Sequence, residues 1–328
     1  MEFRPVRRTP GAFQQSLDPE EVTSVCDRAF EPESRPLSAV ELGMGMYNST
    51  YKVELAGQNR PVILRAAPEP DSQFGFEQEL MRNEYASVPW LAVIAPLMPR
   101  VIAADWSHEV IGRDWMIQTY LDGVPAPEHL GTYPRSAWPT FFRQLGAITR
   151  SVHDVCGPYF GPVGGPGYGP WSETVITSLE EIAADLDDVG LDAADVRKVA
   201  AAAAHDRAVR DEVAEPRMLT GDLWTVNALM DSTAPEPVIT GVMDFDRTSF
   251  GDPAADWTIR MATAKDDERT AFFEPYGALD RSPSAVWRAR VYEARHLGAI
   301  RLERHRLGKA DAVRESYGAM AEVLADLT

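Results

Sequence analysis

Met218-Leu-Thr-Gly-Asp-Leu-Trp-Thr-Val-Asn-Ala-Leu-Met230, followed by Gly241-Val-Met-Asp-Phe-Asp246, is the stretch of this 328-residue chain whose reading decides the fold. Asp222 and Asn227 stand five residues apart, the interval at which a phosphotransfer loop presents a base and then a metal ligand. The apolar run that ends at Asp244 supplies a second metal-binding carboxylate.

The residue types follow from the chemistry. An alcohol is a poor nucleophile, so a carboxylate must orient it and accept its proton as the phosphoryl group transfers; Asp222 is assigned that role. Magnesium is a hard cation that takes oxygen ligands, here the Asn227 carbonyl and the Asp244 carboxylate. Ala228 to Met230 and Pro237 to Met243 read as apolar strands around the turn-rich Asp231-Ser-Thr-Ala-Pro-Glu-Pro237, a hairpin that would fold Asp244 back beside Asn227. Gly-Asp or Asp-Phe-Asp alone could be a turn or a cap. Their order, interval and continuation into Phe250-Gly-Asp-Pro-Ala-Ala-Asp256 favour chemistry.

Thr220 to Asp256 resembles the aminoglycoside phosphotransferase, choline kinase and fructosamine kinase family, with its His-Gly-Asp-Leu, Asn, Ile-Asp-Phe and Gly-Asp-Pro pattern. Thr220 departs from it, standing where the family has a loop-bracing His, which puts loop rigidity in question. The resemblance runs from about Leu42 to the C-terminal helices and implies an α+β, protein-kinase-like two-lobe fold. A small antiparallel-sheet N-lobe, residues 1–121, would bind nucleotide and end in a hinge. A larger, mostly helical C-lobe, residues 122–328, would carry the catalytic loop and acceptor site. ATP or GTP would be the donor, with Mg2+.

Composition agrees. The length exceeds one usual core and suits two lobes around a cleft. The two cysteines, Cys26 and Cys156, form no metal or disulfide pattern and read as buried free thiols of a reducing cytoplasm. The first residues lack the apolar run of a signal peptide. The most apolar candidate span, Val88 to Met98, is short and carries Pro89 and Pro96, so no membrane is expected. A net charge of −18 argues against a nucleic-acid groove and would suit a cationic small-molecule acceptor. The acidic run from Glu173 to Asp195 reads as a solvated helix face. Oligomeric state is not legible.

Along the chain, Asp18 to Phe30 reads as a helix with Asp18 as cap and Pro19 at its first position. Leu37 to Leu42, Thr50 to Leu55 and Pro61 to Ala66 read as an antiparallel meander, Phe74 to Leu91 as a helix and Asp114 to Leu121 as a strand. Helices follow Gly123, interrupted by the Gly/Pro-rich loop from Gly157 to Trp171. No repeats occur.

The turn Gly43-Met-Gly-Met-Tyr-Asn-Ser-Thr50 lacks Walker spacing; as a phosphate-covering loop, which the resemblance implies, it assigns Gly45 and Asn48 to the nucleotide. Arg65 in Val62-Ile-Leu-Arg65 would grip phosphates, with Glu84 holding it and Glu79 as second choice. The resemblance places the Thr119 carbonyl and Leu121 amide at the purine edge and Gln118 behind it, with Gly123 turning the chain away. Trp224 and Trp171 are candidate acceptor walls, since aromatic faces stack on rings or attract cations.

Other residues read as structural. His153 falls on an amphipathic helix, and His296 and His305 lie among Arg295, Arg301, Arg304 and Arg306 on a basic, solvated face. Asp252 and Asp256 resemble the family's structural carboxylates, and Asp246 would order the metal site from behind. A protein kinase is disfavoured because no Ala-Pro-Glu follows the metal Asp and Phe245 to Asp256 is too short for an activation loop. A nucleotide-binding pseudokinase is disfavoured by the retained Asp222. Scarce Lys beside abundant Arg, Ala and Pro is associated with GC-rich genomes and tips the expected acceptor toward an antibiotic, over choline, amino alcohols or sugar adducts.

Overall fold

A computed structural model describes residues 1–9, 12–43 and 45–327. Six strands form the first sheet in the order β1-β2-β3-β4-β6-β5: β1 (Glu2–Arg4), β2 (Pro36–Leu42), β3 (Ser49–Leu55), β4 (Val62–Ala66), β5 (Val101–Asp105) and β6 (Trp115–Thr119). The expected meander is there, with Thr50 opposite Arg65 and Arg65 opposite Met116. β1 adds a parallel edge strand, pairing Phe3 with Ala39, so the sheet is mixed. Helix α1 (Pro19–Ala29) covers it. Asp18 caps that helix by accepting from the Glu20 and Glu21 amides while Glu21 reaches back to the Asp18 amide, which satisfies three amides the first turn cannot pair. Val22, Val25 and Cys26 pack on Tyr51, Val53 and Leu64 to make the sheet's core.

The helix expected from Phe74 to Leu91 is shorter: α2 is Leu80–Ser87, preceded by single turns at Pro70–Ser72 and Gly75–Glu77 and followed by Trp90–Leu97. Pro89 explains its end: Val88 is still helical, but proline has no amide hydrogen to donate to the Tyr85 carbonyl and carry the ladder on.

Beyond the sheet come β7 (Val124–Pro125), α3 (Ala126–His129), α4 (Trp138–His153), β8 (Gly161–Pro162), α5 (Trp171–Asp188), α6 (Ala194–His205) and α7 (Arg207–Asp211). They continue with β9 (Arg217–Leu219), β10 (Ala228–Met230), β11 (Ile239–Val242), β12 (Ser249–Gly251), α8 (Trp257–Ala264), α9 (Asp266–Tyr276), α10 (Pro283–Arg306) and α11 (Ala310–Leu327). Two small sheets, β11-β10-β7 and β8-β12-β9, carry the two halves of the motif region. One core joins α4 and α9 to the motif strands through Phe141, Phe250 and Phe272, and another joins α5, α6, α10 and α11. Among the described residues, no helix is long and apolar enough to cross a membrane.

Three expectations are corrected. Cys26 is buried, and burial pushes its thiol up to about 12, but Cys156 is exposed because it sits in the loop leaving α4. The basic face of α10 is not simply solvated: Arg301 is fully buried against Asp195, and Arg306 pairs with Glu77. The acidic run is partly structural for the same reason, since its Asp195 holds Arg301 and its buried Asp185 accepts from the Gly75 amide at 2.8 Å.

Candidate functional site

β9 leads into the Thr220–Asp222 loop and is held by β12, with Leu219 opposite Ser249. Gly221 has φ +80°, and a Cβ there would lie 2.5 Å from the Arg247 carbonyl carbon, so only glycine fits. The family His is absent, yet the loop is anchored. The Thr220 amide and Oγ1 donate to Asp256 Oδ2 at 2.6 and 2.8 Å, and His153 Nε2 from α4 lies 2.8 Å from the same oxygen. Thr258 Oγ1 lies beside Thr220 Oγ1 and donates its proton to the Leu223 carbonyl, tying α8 to the loop. Burial works against the Asp256 charge, but the bonds from His153 and Thr220 outweigh it and hold the carboxyl below its ordinary value.

Asp222 is half-buried beside Asn227, whose Nδ2 donates to the Asp222 carbonyl at 2.8 Å and to Oδ2 at 3.3 Å. The hairpin closes as expected: Ala228 pairs with Val242, and the Met243 amide donates to the Asn227 carbonyl at 3.0 Å. Asp244 follows immediately, in a left-handed conformation at φ +67° that is unusual for a residue with a Cβ.

Arg65 spans the cleft. Its Nη1 donates to both Glu84 oxygens at 2.7 and 2.6 Å, and its Nη2 to Asp244 Oδ1 at 2.9 Å. Gln118 Nε2 adds a 3.3 Å bond to Glu84. Glu79 turns away at φ +62° to pair with Arg82, so the partner of Arg65 is Glu84. Burial raises the Glu84 carboxyl although Arg65 opposes it, and the Arg65 guanidinium, disfavoured by burial, is raised by Glu84 and Asp244.

Carboxylates crowd this cleft. Burial, then the nearby Asp244, pushes Asp222 up to about 7, and the same two causes raise the buried Asp246 well above its ordinary value. Such mutual repulsion is what a bound cation would relieve. Among the described residues no three acid, His or Cys side chains converge as an all-protein metal site. Two hard oxygen donors, Asn227 and Asp244, nevertheless fit Mg2+, which is ordinarily held by one or two carboxylates and completed by phosphates and water. The Asn227 amide nitrogen is committed to Asp222, which leaves its carbonyl oxygen for that role.

The remaining candidates make the following contacts. Gly45 and Asn48 offer their carbonyls to Gln14 Nε2 at 3.0 Å each, and the Asn48 side chain is buried with its Oδ1 unpartnered. Thr119 ends β6, where its amide and Oγ1 bond the Arg100 carbonyl and amide at 2.9 Å. Leu121 packs over Gly241, and Gly123 turns the chain at φ +139°, where a Cβ would meet Thr240 Oγ1 at 2.6 Å. Trp224 is half-buried, its ring 6.4 Å from that of Trp257. Trp171 is no acceptor wall. It is 5% exposed in the α5–α10 core and donates its indole N–H to Tyr292 at 2.7 Å, because the Gly/Pro loop ends before its ring, which opens α5.

Two residues escaped the sequence reading. Asn83, beside Glu84 on α2, donates to the carbonyls of Asp246 and Thr248 at 2.8 and 2.9 Å and accepts from the Gly164 amide, fixing the strand of chain behind Asp244. Its only signal was adjacency to Glu84. Arg247 follows Asp246; burial works against its charge, but Asp246, Glu77, Asp222 and Asp244 together raise it.

A family model described as the phosphotransferase enzyme family matches residues 38–293. No curated protein sequence matches the chain. Among solved structures, the GDP complex of wild-type aminoglycoside 2'-phosphotransferase-IIIa is 17% identical at a TM-score of 0.62, covering 94% of this chain and 98% of that one. A GDP and kanamycin complex of an APH(2") enzyme is 16% identical at 0.62, with 93% and 98% covered. A thermostable mutant of APH(4)-Ia in ternary complex with AMP-PNP and hygromycin B is 17% identical at 0.61, with 93% and 98% covered. At these identities the likeness is one of fold: a kinase-like, two-lobe α+β architecture.

Proposed function

Because the chain belongs to the phosphotransferase enzyme family, we propose that it transfers the terminal phosphoryl group of ATP or GTP to a hydroxyl of a small molecule. The observation that carries the reading is the convergence of Asp222, Asn227 and Asp244 in one cleft, with Arg65 bridging Asp244 to Glu84. Nucleotide complexes of the similar folds support the donor.

The roles follow from placement. Asp222 orients the acceptor hydroxyl and takes its proton as the oxygen–phosphorus bond forms and the bond to the leaving nucleotide breaks; a carboxyl raised to about 7 suits a base working near neutrality. Arg65, fixed by Glu84 and Gln118, presents a guanidinium fork to phosphate oxygens. Gly45 and Asn48 cover the phosphates, and the Thr119 carbonyl and Leu121 amide read the purine, with residues 1–121 as the nucleotide lobe and 122–328 as the acceptor lobe. Asn227 and Asp244 would hold Mg2+, which when bound offsets the charge of the phosphates. Trp224 walls the acceptor.

An antibiotic is the acceptor class we favour. The kanamycin and hygromycin B complexes of the similar folds and the Arg-rich, Lys-poor composition support it. The test is incubation with Mg2+ and ATP or GTP across hydroxylated antibiotics, choline, amino alcohols and sugar adducts, read by mass spectrometry for gain of one phosphoryl group. A product from the antibiotic set is expected. Nucleotide bound but never consumed with any acceptor would sink the proposal.

A further inference from the structure

The chain's charge of −18 suggests an acidic cleft, but the wall beside the catalytic loop is basic and aromatic. Trp224, two residues past Asp222, meets Trp257 of α8 edge-on at 6.4 Å, and Trp257 meets His296 of α10 at 5.3 Å. The Arg260 guanidinium lies 5.2 Å from the Trp257 ring centre. Arg295, next to His296, hydrogen-bonds Ser178 of α5. Among the described residues neither Arg260 nor Arg295 has a carboxylate within salt-bridge distance, although acids outnumber bases by 50 to 32 in this chain.

The electrostatics tell the same story. Burial, then the nearby Arg247, holds the Arg295 guanidinium below its usual value, with only Glu181 opposing. Burial, then Arg295 and Arg260, pushes His296 down to about 3, so it faces the wall as a neutral ring. Arg247 links the group to Asp222, and its nearest acid outside the loop, Glu77 at 3.7 Å, is shared with Arg306. The indole N–H of Trp257 is buried without an acceptor. Trp224 also lines a recess with Phe142, Leu145, Met261 and Phe272, whose one acid, Glu268, is already paired with Lys265 and Arg135. Two guanidinium groups without a paired carboxylate, Arg260 and Arg295, and an unused N–H donor are oxyanion-binding chemistry, and they would repel a polyamine.

We infer that the acceptor carries an oxyanion, a carboxylate or a phosphate, on a flat apolar ring system, with the ring against Trp224 and Trp257 and the oxyanion met by Arg260 and Arg295. This rests on the phosphotransfer reading and narrows it: the acceptor would be an anionic member of the antibiotic class, and amine-rich compounds such as the kanamycin and hygromycin B bound by the similar folds would be excluded.

The test uses the whole chain and three probes: 3-hydroxy-2-naphthoate, 2-naphthyl phosphate and 2-naphthylmethylamine. Binding is read by tryptophan fluorescence quenching and by saturation-transfer NMR. At least one anion should bind about tenfold or more tighter than the amine, the scale of a charge-assisted hydrogen bond. Whichever anion binds better identifies the oxyanion. Arg260→Gln and Arg295→Gln should each lose about tenfold for it, Arg295→Lys should lose less, and ATP affinity should stay put. Amine binding equal to or tighter than both anions, or anion binding indifferent to both glutamine variants, overturns the inference. Should a variant fail to fold, the comparison of probes on the unaltered protein decides. If an anion binds as expected but no hydroxylated compound ever receives phosphate from ATP or GTP, the phosphotransfer reading fails and the anion site stands.

Discussion

Thr220 and His153, 67 positions apart in sequence, meet at one oxygen: each places a side-chain atom 2.8 Å from Asp256 Oδ2. Here the imidazole at this carboxylate comes from α4, while the loop position itself carries a threonine. The loop that carries Asp222 is therefore braced through Asp256 from a helix outside the motif.

Thr220→Val keeps the shape and the amide bond but removes the hydroxyl bond to a buried, charged carboxylate, which should cost about 1.5–3 kcal/mol. The Asp256 carboxyl is lowered in the folded state, so its stabilising contribution is full above the unfolded value of about 4 and is lost as pH falls through the lowered one. The penalty of Thr220→Val should then be largest near neutrality and shrink in acid. Denaturant melts at several pH values check this, and a penalty that does not vary with pH would detach Thr220 from the Asp256 charge.

Asp222→Asn should lower turnover by about 10²–10⁴-fold while leaving nucleotide affinity within a few-fold, because the carboxylate acts on the acceptor and not on the nucleotide. Near-normal turnover in a folded variant would remove Asp222 from the mechanism.

Arg65 and Asp244 are coupled by a 2.9 Å bond and should fail differently. Arg65→Lys keeps the charge but cannot span Glu84 and Asp244 with a fork, so nucleotide affinity should fall by about tenfold, the worth of one charge-assisted bond. Asp244→Ala should instead blunt the magnesium dependence of nucleotide binding. Calorimetric titrations with and without Mg2+ separate the two, and equal magnesium dependence in variant and parent would end the assignment of Asp244.

The thiols give an independent check on the fold. Cys156 is exposed, whereas Cys26 is buried on the inner face of α1 against the sheet with its thiol raised to about 12. At pH 8, Ellman's reagent should label one thiol in the folded protein and both in denaturant; rapid labelling of both in the folded state would contradict the packing of α1.

The sequence by itself determined what is local in the chain. The Asp222–Asn227 spacing, the hairpin that returns Asp244, the Asp18 cap and the alternation of β2 to β4 all act over a few residues, where turn chemistry and periodicity are readable. The sequence also supplied Arg65 and Glu84, since a strand and the helix after it repeat a known order. Long-range contacts belong to tertiary structure alone. That Trp171 is core while Trp224 is only half-buried, edge-on to Trp257, depends on which helices cover each ring, and both read alike as aromatic residues near loops. His153 reaching Asp256, Asn83 reaching the chain behind Asp244, and Arg260 and Arg295 gathering without acids join residues dozens to hundreds of positions apart. A chain of net charge −18 can hold a basic wall because charge acts over the few ångströms set by packing and screening, not over the sequence average.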